Sequence, residues 1–485
     1  MSGIAFKGYA PDLDPKTPGI LTDCSALVPS LRGMKGAPSP QTRLLPALAA
    51  ACRGAALVRK LDDSTRLFAG TATALFEAGS TSWTDRTRAV GGAYALGSNN
   101  TWRFAQRADA SFAAAKSDIL QSSSSGAFAN NAATAPKAAI VEIINGFIFL
   151  FDVNDQGAIF DSADRPHGWW AAKTSGTWTP SVANEAYTGE LTSTSGRITG
   201  GKKFGQTAIA YKERSMYLGV YQGTSGWEFN PIPGQAGALN QECIVDVGTA
   251  DNPVHLMMGY EDFYRYDGSR PVSIGNPVKE TVFGELDRTL SYTCTALHDR
   301  RNSRVYFFYP PSRCVVYNYK TGLWGRDDRT IEAALEFVSA GVTYDGLGAL
   351  YSTYADFPNL AYDTAFLVAG YPLPGIFNTS HVLQTLDGNT VASAMTTGDY
   401  GSDEFLTLLS GVQPEFLTRP GAGTMTNFHR DNIGSALIQD QQVAMDARGR
   451  FDVLRSARWH RAAFSFTGNV EMSGLAAAMS EDGQE

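Results

Sequence analysis

The sequence predicts a mainly β protein: an irregular β-propeller of four-stranded meander blades, with an extended N-terminal arm and a C-terminal β-rich extension. A recurring unit of four short strands and a tryptophan is the first reason. Its clearest copy runs Tyr292–His298, Val305–Tyr309, a turn at Pro310-Pro311, Arg313–Tyr319, a turn at Thr321-Gly322, then Leu323-Trp324-Gly325-Arg326-Asp327. An earlier copy runs Gly54–Lys60, the Asp62-Asp63-Ser64 turn, Arg66–Gly70, Ala74–Gly79, then Ser82-Trp83-Thr84-Asp85-Arg86. Partial copies end at Trp227 and in Gly168-Trp169-Trp170. The second reason is length, since a unit of about 40 residues suits a propeller blade. The third is that one meander cannot bury both of its faces, so blades must stack around an axis. A tryptophan can then fill the space between neighbours, and Trp83 and Trp324 are expected at equivalent ring positions.

Residues 1–43 read as an extended arm. Pro11, Pro15, Pro18, Pro29, Pro38 and Pro40 each lack an N–H and restrict the preceding residue, which forbids regular helix. Such an arm is expected to lie on its own barrel or on a neighbouring subunit. The propeller is expected over residues 44–360, with loop excursions at about 100–135, where Ser122–Ser125 is serine-rich, and at 180–205. Within it, Ala139–Ile144 and Phe147–Phe151 flank Asn145-Gly146. Asn-Gly supplies the positive φ angles of a tight hairpin turn. Further strands are expected at Gln206–Tyr211, Met216–Gln222 and Trp227–Asn230. The next meander is Cys243–Val247, His255–Gly259, Phe263–Asp267 and Pro271–Ile274. A helix is expected over 276–286, where Val278, Val282, Phe283 and Leu286 form one apolar stripe behind Pro277. Residues 361–485 read as a polar, glycine-rich β-segment ending in a Phe451–Phe466 strand pair.

Composition narrows the function. The chain has 485 residues and a net charge of −8, unlike a basic nucleic-acid-binding domain. Charged residues are only 18%, below the usual quarter, as expected of a surface largely covered by partners. Cys24, Cys52, Cys243, Cys294 and Cys314 are scattered and odd in number, which favours reduced thiols in a cytoplasm over a disulfide framework. Met1–Gly8 has no apolar signal core, and the most apolar stretch, Leu44–Val58, holds Pro46 and Arg53 and is too short to span a bilayer. No stable membrane insertion is expected.

Motifs for chemistry are weak. Gly196-Arg197-Ile198-Thr199-Gly200-Gly201-Lys202-Lys203 has phosphate-loop spacing, but Lys203 stands where a hydroxyl would hold Mg²⁺ and no helix pattern follows. Ser162–Trp169 and Ser175-Gly176-Thr177-Trp178 faintly echo the aspartate-box turns of sialidase propellers. A glycosidase needs two carboxylates across its substrate. Asp152, Asp155, Asp161 and Asp164 are the candidates, read more simply as turn formers. His298-Asp299-Arg300-Arg301 reads as a charged turn. His167, His255, His298, His381, His429 and His460 never pair at metal-ligand spacing within one element. No catalytic, cofactor-binding or metal-binding residue is assigned, and no cofactor is expected.

Phe6-Lys7-Gly8-Tyr9-Ala10-Pro11-Asp12-Leu13-Asp14-Pro15 with Thr17-Pro18-Gly19-Ile20 resembles the N-terminal arm of a family of short-tailed bacteriophage tail proteins. Leu27–Pro38, Val315–Trp324, Gly449-Arg450-Phe451-Asp452 and Ala457-Arg458-Trp459-His460-Arg461 continue the likeness. The family is the tail hub or nozzle, also called tail tubular protein B or packaged-DNA stabilisation protein. The resemblance implies a structural, non-enzymatic propeller subunit of a homohexameric ring in the virion tail, assembled in the host cytoplasm. It would sit below the portal and adaptor, carry fibres or spikes, and retain the packaged genome until double-stranded DNA passes through the lumen. An acidic lining would repel phosphate and let DNA slide, although the residues lining the channel are unassigned. Two other classes stay open: a propeller glycosidase, and a carbohydrate-binding adhesin acting on host surface polysaccharide.

Overall fold

The computed structural model describes residues 3–157, 159, 164–338, 353, 372–432 and 434–483. It is a β-propeller joined to a β-sandwich. Six four-stranded antiparallel sheets stand as separate blades, and one further meander of the same form is the end of a ten-stranded sheet. In ring order, blade 1 is Ala55–Arg59, Thr65–Gly70, Leu75–Ala78 and Trp83–Asp85. Blade 2 is Arg103–Arg107, Ala110–Ala114, Gln121–Ser123 and Ala129–Asn130. Blade 3 is Lys137–Ile144, Phe147–Asn154, Asp164–Ala172 and Ala186–Glu190. Blade 4 is Ile198–Phe204, Thr207–Lys212, Met216–Tyr221 and Trp227–Ile232. Blade 5 is Ile244–Asp246, His255–Met258, Phe263–Tyr266 and Val272–Ser273. The meander that merges into the larger sheet is blade 6: Thr295–Asp299, Arg304–Tyr309, Arg313–Asn318 and Trp324–Arg326. Blade 7 takes Ala333–Val338, Pro372–Phe377 and Leu383–Gly388 from one part of the chain and Ser39–Thr42 from the arm. The first strand of each blade faces the axis, and blade 7 packs back on blade 1.

Tryptophans wedge the blades apart at a fixed register. Trp83, Trp227 and Trp324 each open the outermost strand of their blade. Each meets an aromatic ring of the preceding blade: Trp83 meets Phe377 at 6.0 Å, Trp227 meets Phe149 at 4.7 Å, and Trp324 meets Phe263 at 4.9 Å. Trp83 and Trp324 therefore occupy equivalent positions, although Trp324 is fully buried and Trp83 only half-buried. Trp169 and Trp170 depart from the pattern, since they lie on the third strand of blade 3 rather than ending it.

Several expectations are corrected. The segment 100–135 is blade 2, not a loop. Its strands are short and rich in Ala and Ser, whose small side chains give little hydrophobic signal, yet Ala113 and Ala114 are fully buried. The 180–205 segment likewise supplies the outer strand of blade 3 and the inner strand of blade 4. The propeller runs past residue 360, because blade 7 uses residues 372–388. The Asn145-Gly146 hairpin forms with positive φ at both residues, and the helix spans Lys279–Glu285.

The arm lacks helix but does not hang free. Besides closing blade 7, it supplies Gly8–Tyr9, Ile20–Ser25, Leu27–Ser30 and Gly33–Gly36 to the sandwich. Pro40 is tolerated because Ser39–Thr42 is an outer edge strand, where a missing N–H faces no partner. Asp12 accepts bonds from the N–H groups of Glu280 and Thr281 at 2.6 and 3.1 Å, capping the helix from a distant part of the chain.

Phe451–Ala457 and Trp459–Thr467 are not paired with each other but belong to the two opposing sheets of the sandwich. The chain turns that corner at Arg458, and Phe451 then meets Phe464 across the core at 5.3 Å. A long strand, Glu471–Gly483, pairs with Leu406–Thr418 and with Gly33–Gly36, binding the end of the chain to its beginning.

Trp324→Ala should cost about 3–5 kcal/mol of unfolding free energy, whereas half-buried Trp83→Ala should cost about half as much. Urea denaturation of both variants measures the difference, and equal losses would contradict the argument from burial, while no loss in either would contradict the wedge assignment.

Candidate functional site

The loops that carry the chain from each outer strand to the next inner strand gather around one mouth of the propeller axis. They surround a cup of about 440 Å³ with a mixed polar and apolar lining. Its wall takes Ala55 from blade 1, Phe104 from blade 2, Glu142 from blade 3, Lys202 from blade 4, Thr295 from blade 6 and Ala333 from blade 7. A second cavity of about 210 Å³ lies alongside it, sharing Asn100, Thr101, Arg103 and Tyr292 and adding Lys116, Asp152 and Arg197.

An ion pair crosses the axis between these cavities. Arg103, on the inner strand of blade 2, donates from Nε and Nη2 to both oxygens of Glu242, at 2.7 and 2.8 Å. Glu242 sits in a short helical turn just before blade 5, and Arg103 also donates to the Ala139 carbonyl at 2.8 Å. Burial alone would push the Glu242 carboxyl up, but the Arg103 guanidinium outweighs it and holds the group below its ordinary range. The bidentate geometry suits guanidinium and carboxylate planes. Lys202 and Glu142 approach less closely, at 3.8 Å, and burial pushes the Glu142 carboxyl up.

The residues singled out in the sequence fall elsewhere or into structural roles. Within Gly196–Lys203 the chain is the inner strand of blade 4, with no helix after it. Gly201 is needed there because a Cβ would lie 2.2 Å from the Phe151 ring. Asp152 sits in a bulge at φ 54°, buried, and accepts from Lys116 at 2.6 Å and from Arg197. Asp164 also binds Lys116, at 2.7 Å. Asp155 caps the N–H groups of Gly157 and Ile159, and Asp161 lies outside the described residues. Trp178, from the second box-like turn, is buried and donates to Asn131 at 2.8 Å. Asp299 is buried and accepts from Asn302, and Arg300 pairs with Glu336 at 2.8 Å.

All five cysteines are buried and free. Burial pushes the Cys52 thiol up to about 12 and that of Cys314 well above its ordinary value, so neither is a nucleophile at neutral pH. Among the described residues no group of three His, Cys, Asp or Glu side chains has metal-binding geometry. His429 and His460 lie opposite each other on adjacent strands of the sandwich. His460 Nε2 bonds the Thr407 carbonyl at 3.0 Å, and His429 lies 3.4 Å from Asp440.

Arg103, Glu142, Lys202 and Glu242 escape a reading of the sequence because each comes from a different part of the ring. Only Lys202 lay in a segment that spacing had picked out.

No protein-family model matches the chain, and no curated protein matches it. Among solved structures it is similar to "YCF48 bound to D1 peptide", with a TM-score of 0.39 and 11% identity. That match covers 74% of this chain and 97% of the other.

Buried histidines give the molecule a predictable acid response. His255 bonds Tyr211 at 2.5 Å and the Lys203 carbonyl at 3.1 Å. Burial depresses it and His298 to about 4. Below pH about 6.5 the unfolded chain takes up protons that the folded one refuses, so stability falls as pH drops toward 4. Denaturation midpoints between pH 7.5 and 4.5 should show this slope, and His298→Gln should flatten it. A pH-independent wild type would contradict the burial argument.

Proposed function

We propose that this chain is a structural subunit of a short-tailed phage tail nozzle. In this reading, copies form a homohexameric ring below the portal and adaptor, retain packaged DNA, pass it during ejection, and anchor fibres or spikes. The subunit has no catalytic step and works in the virion tail.

The observation that carries the reading is that the resemblance-bearing segments, distant in sequence, meet in two opposing sheets, with Gly8–Tyr9, Ile20 and Trp459-His460-Arg461 in the eight-stranded one. Leu27–Ser30, Gly33–Gly36, Arg313–Asn318, Trp324–Arg326 and Phe451–Ala457 are strands of the same ten-stranded sheet. Tyr9 joins them, accepting from Arg326 at 3.1 Å. Likeness concentrated in one cooperative unit is what common descent of that unit would produce, whereas chance matches would scatter. A lumen between acidic subunits also suits DNA that must slide rather than stick.

The adhesin alternative is consistent with the same propeller fold and stands as the second reading.

Sizing of the purified protein, alone and mixed with a portal–adaptor complex, tests the reading. A six-fold ring that joins the connector is the expected result. Persistent monomers that ignore the connector, or turnover of capsule or lipopolysaccharide by the isolated chain, would overturn it.

A further inference from the structure

We infer that the axial cup binds an uncharged, polyhydroxylated ligand of mono- or disaccharide size, held between Lys202 and Glu142. This goes beyond the nozzle reading and does not depend on it. A cavity of about 440 Å³ lies within the range of small-ligand sites, and its loops converge from every side of the ring.

The inference rests on which polar groups in the cup are already used. Arg103 and Glu242 saturate each other. Glu332 accepts from the Cys52 N–H at 2.8 Å and pairs with His381 at 2.6 Å. Arg53 donates to the carbonyls of Gly97 and Ser98. Of the charged groups in the cup, Lys202 and Glu142 remain: they form an ion pair, but at 3.8 Å it is too long for a hydrogen bond. Thr101 Oγ1 is also buried without a protein partner.

The remaining pair is one ammonium and one carboxylate, so their charges cancel. A ligand with net charge would satisfy one and face a like charge on the other. A hydroxyl donates and accepts at once, so neighbouring hydroxyls can donate to Glu142 while accepting from Lys202. Tyr292 and Phe104, both half-buried on the cup wall, offer apolar surface to the C–H face of a sugar ring.

Calorimetric titration of the full chain at neutral pH, using glucose, N-acetylglucosamine and maltose, tests the site, with inorganic phosphate as the charged control and glycine as a zwitterion that offers an ammonium and a carboxylate in place of hydroxyls. The expected result is saturable binding of at least one sugar, one per chain. Glu142→Gln and Lys202→Met should each weaken it by about tenfold, the loss of one well-placed hydrogen bond to a charged group. Should either variant fail to fold, Thr101→Val reads the same cup without touching the ion pair and should also weaken binding. No binding of any of the three sugars, tighter binding of glycine or phosphate, or wild-type affinity in every folded variant would overturn the inference.

Discussion

The structure depends on a geometric constraint: a four-stranded meander has two apolar faces and can satisfy neither alone. Blade after blade must therefore be covered by its neighbour until the ring closes. Trp83, Trp227 and Trp324 show how the contact is made, each projecting from an outer strand onto an aromatic ring of the blade before it. Outer strands diverge from the axis, so the gap between blades widens outward, and a large flat side chain fills it. Closure then falls to the arm, because blade 7 lacks an outer strand until Ser39–Thr42 arrives from the beginning of the chain. A late unit completed by an early strand ties ring closure to the whole sequence.

The same economy joins propeller to sandwich. Blade 6 does not end at Trp324–Arg326 but continues into Leu27–Ser30, and from there to Glu471–Gly483. One hydrophobic cluster spans both regions, with Phe263 and Trp324 on the propeller side and Phe451 and Phe464 on the sandwich side. No flexible linker separates them at this junction. Arg326 reinforces it, reaching Tyr9 at 3.1 Å, Asp328 at 2.9 Å and Glu285 at 3.3 Å. Removing one partner from so enclosed a network would leave a desolvated charge, the costly way to break such a pair.

Blade units rich in bulky residues were legible in the sequence, as in Val305–Tyr309 and Ala139–Phe151, because short runs of β-branched and aromatic residues buried on both faces leave a visible pattern. Blade 2 was not, since Ala, Ser and Gln are buried there almost as completely as Phe and hydropathy alone does not betray them. The arm's prolines correctly excluded helix, but they said nothing of pairing, which depends on strands more than 300 residues away such as Leu383–Gly388. The axial residues were illegible for a related reason. Arg103 and Glu242 meet only because blades 2 and 5 face across a ring, a relation with no local trace.

The axial ion pair also bears on where a DNA path could lie. Arg103 reaches across the propeller to Glu242 and fills the interval between the two cavities. A cup of about 440 Å³ accepts a small molecule, whereas a duplex carries a charge every 1.7 Å or so along its axis and is far wider. The interior of this propeller is therefore no conduit for DNA. In a nozzle, the lumen would have to form between copies, bounded by outer surfaces of blades and sandwich. That places the burden on acidic side chains far from the propeller axis, and it leaves the axial cup, whose charges balance, outside the DNA path.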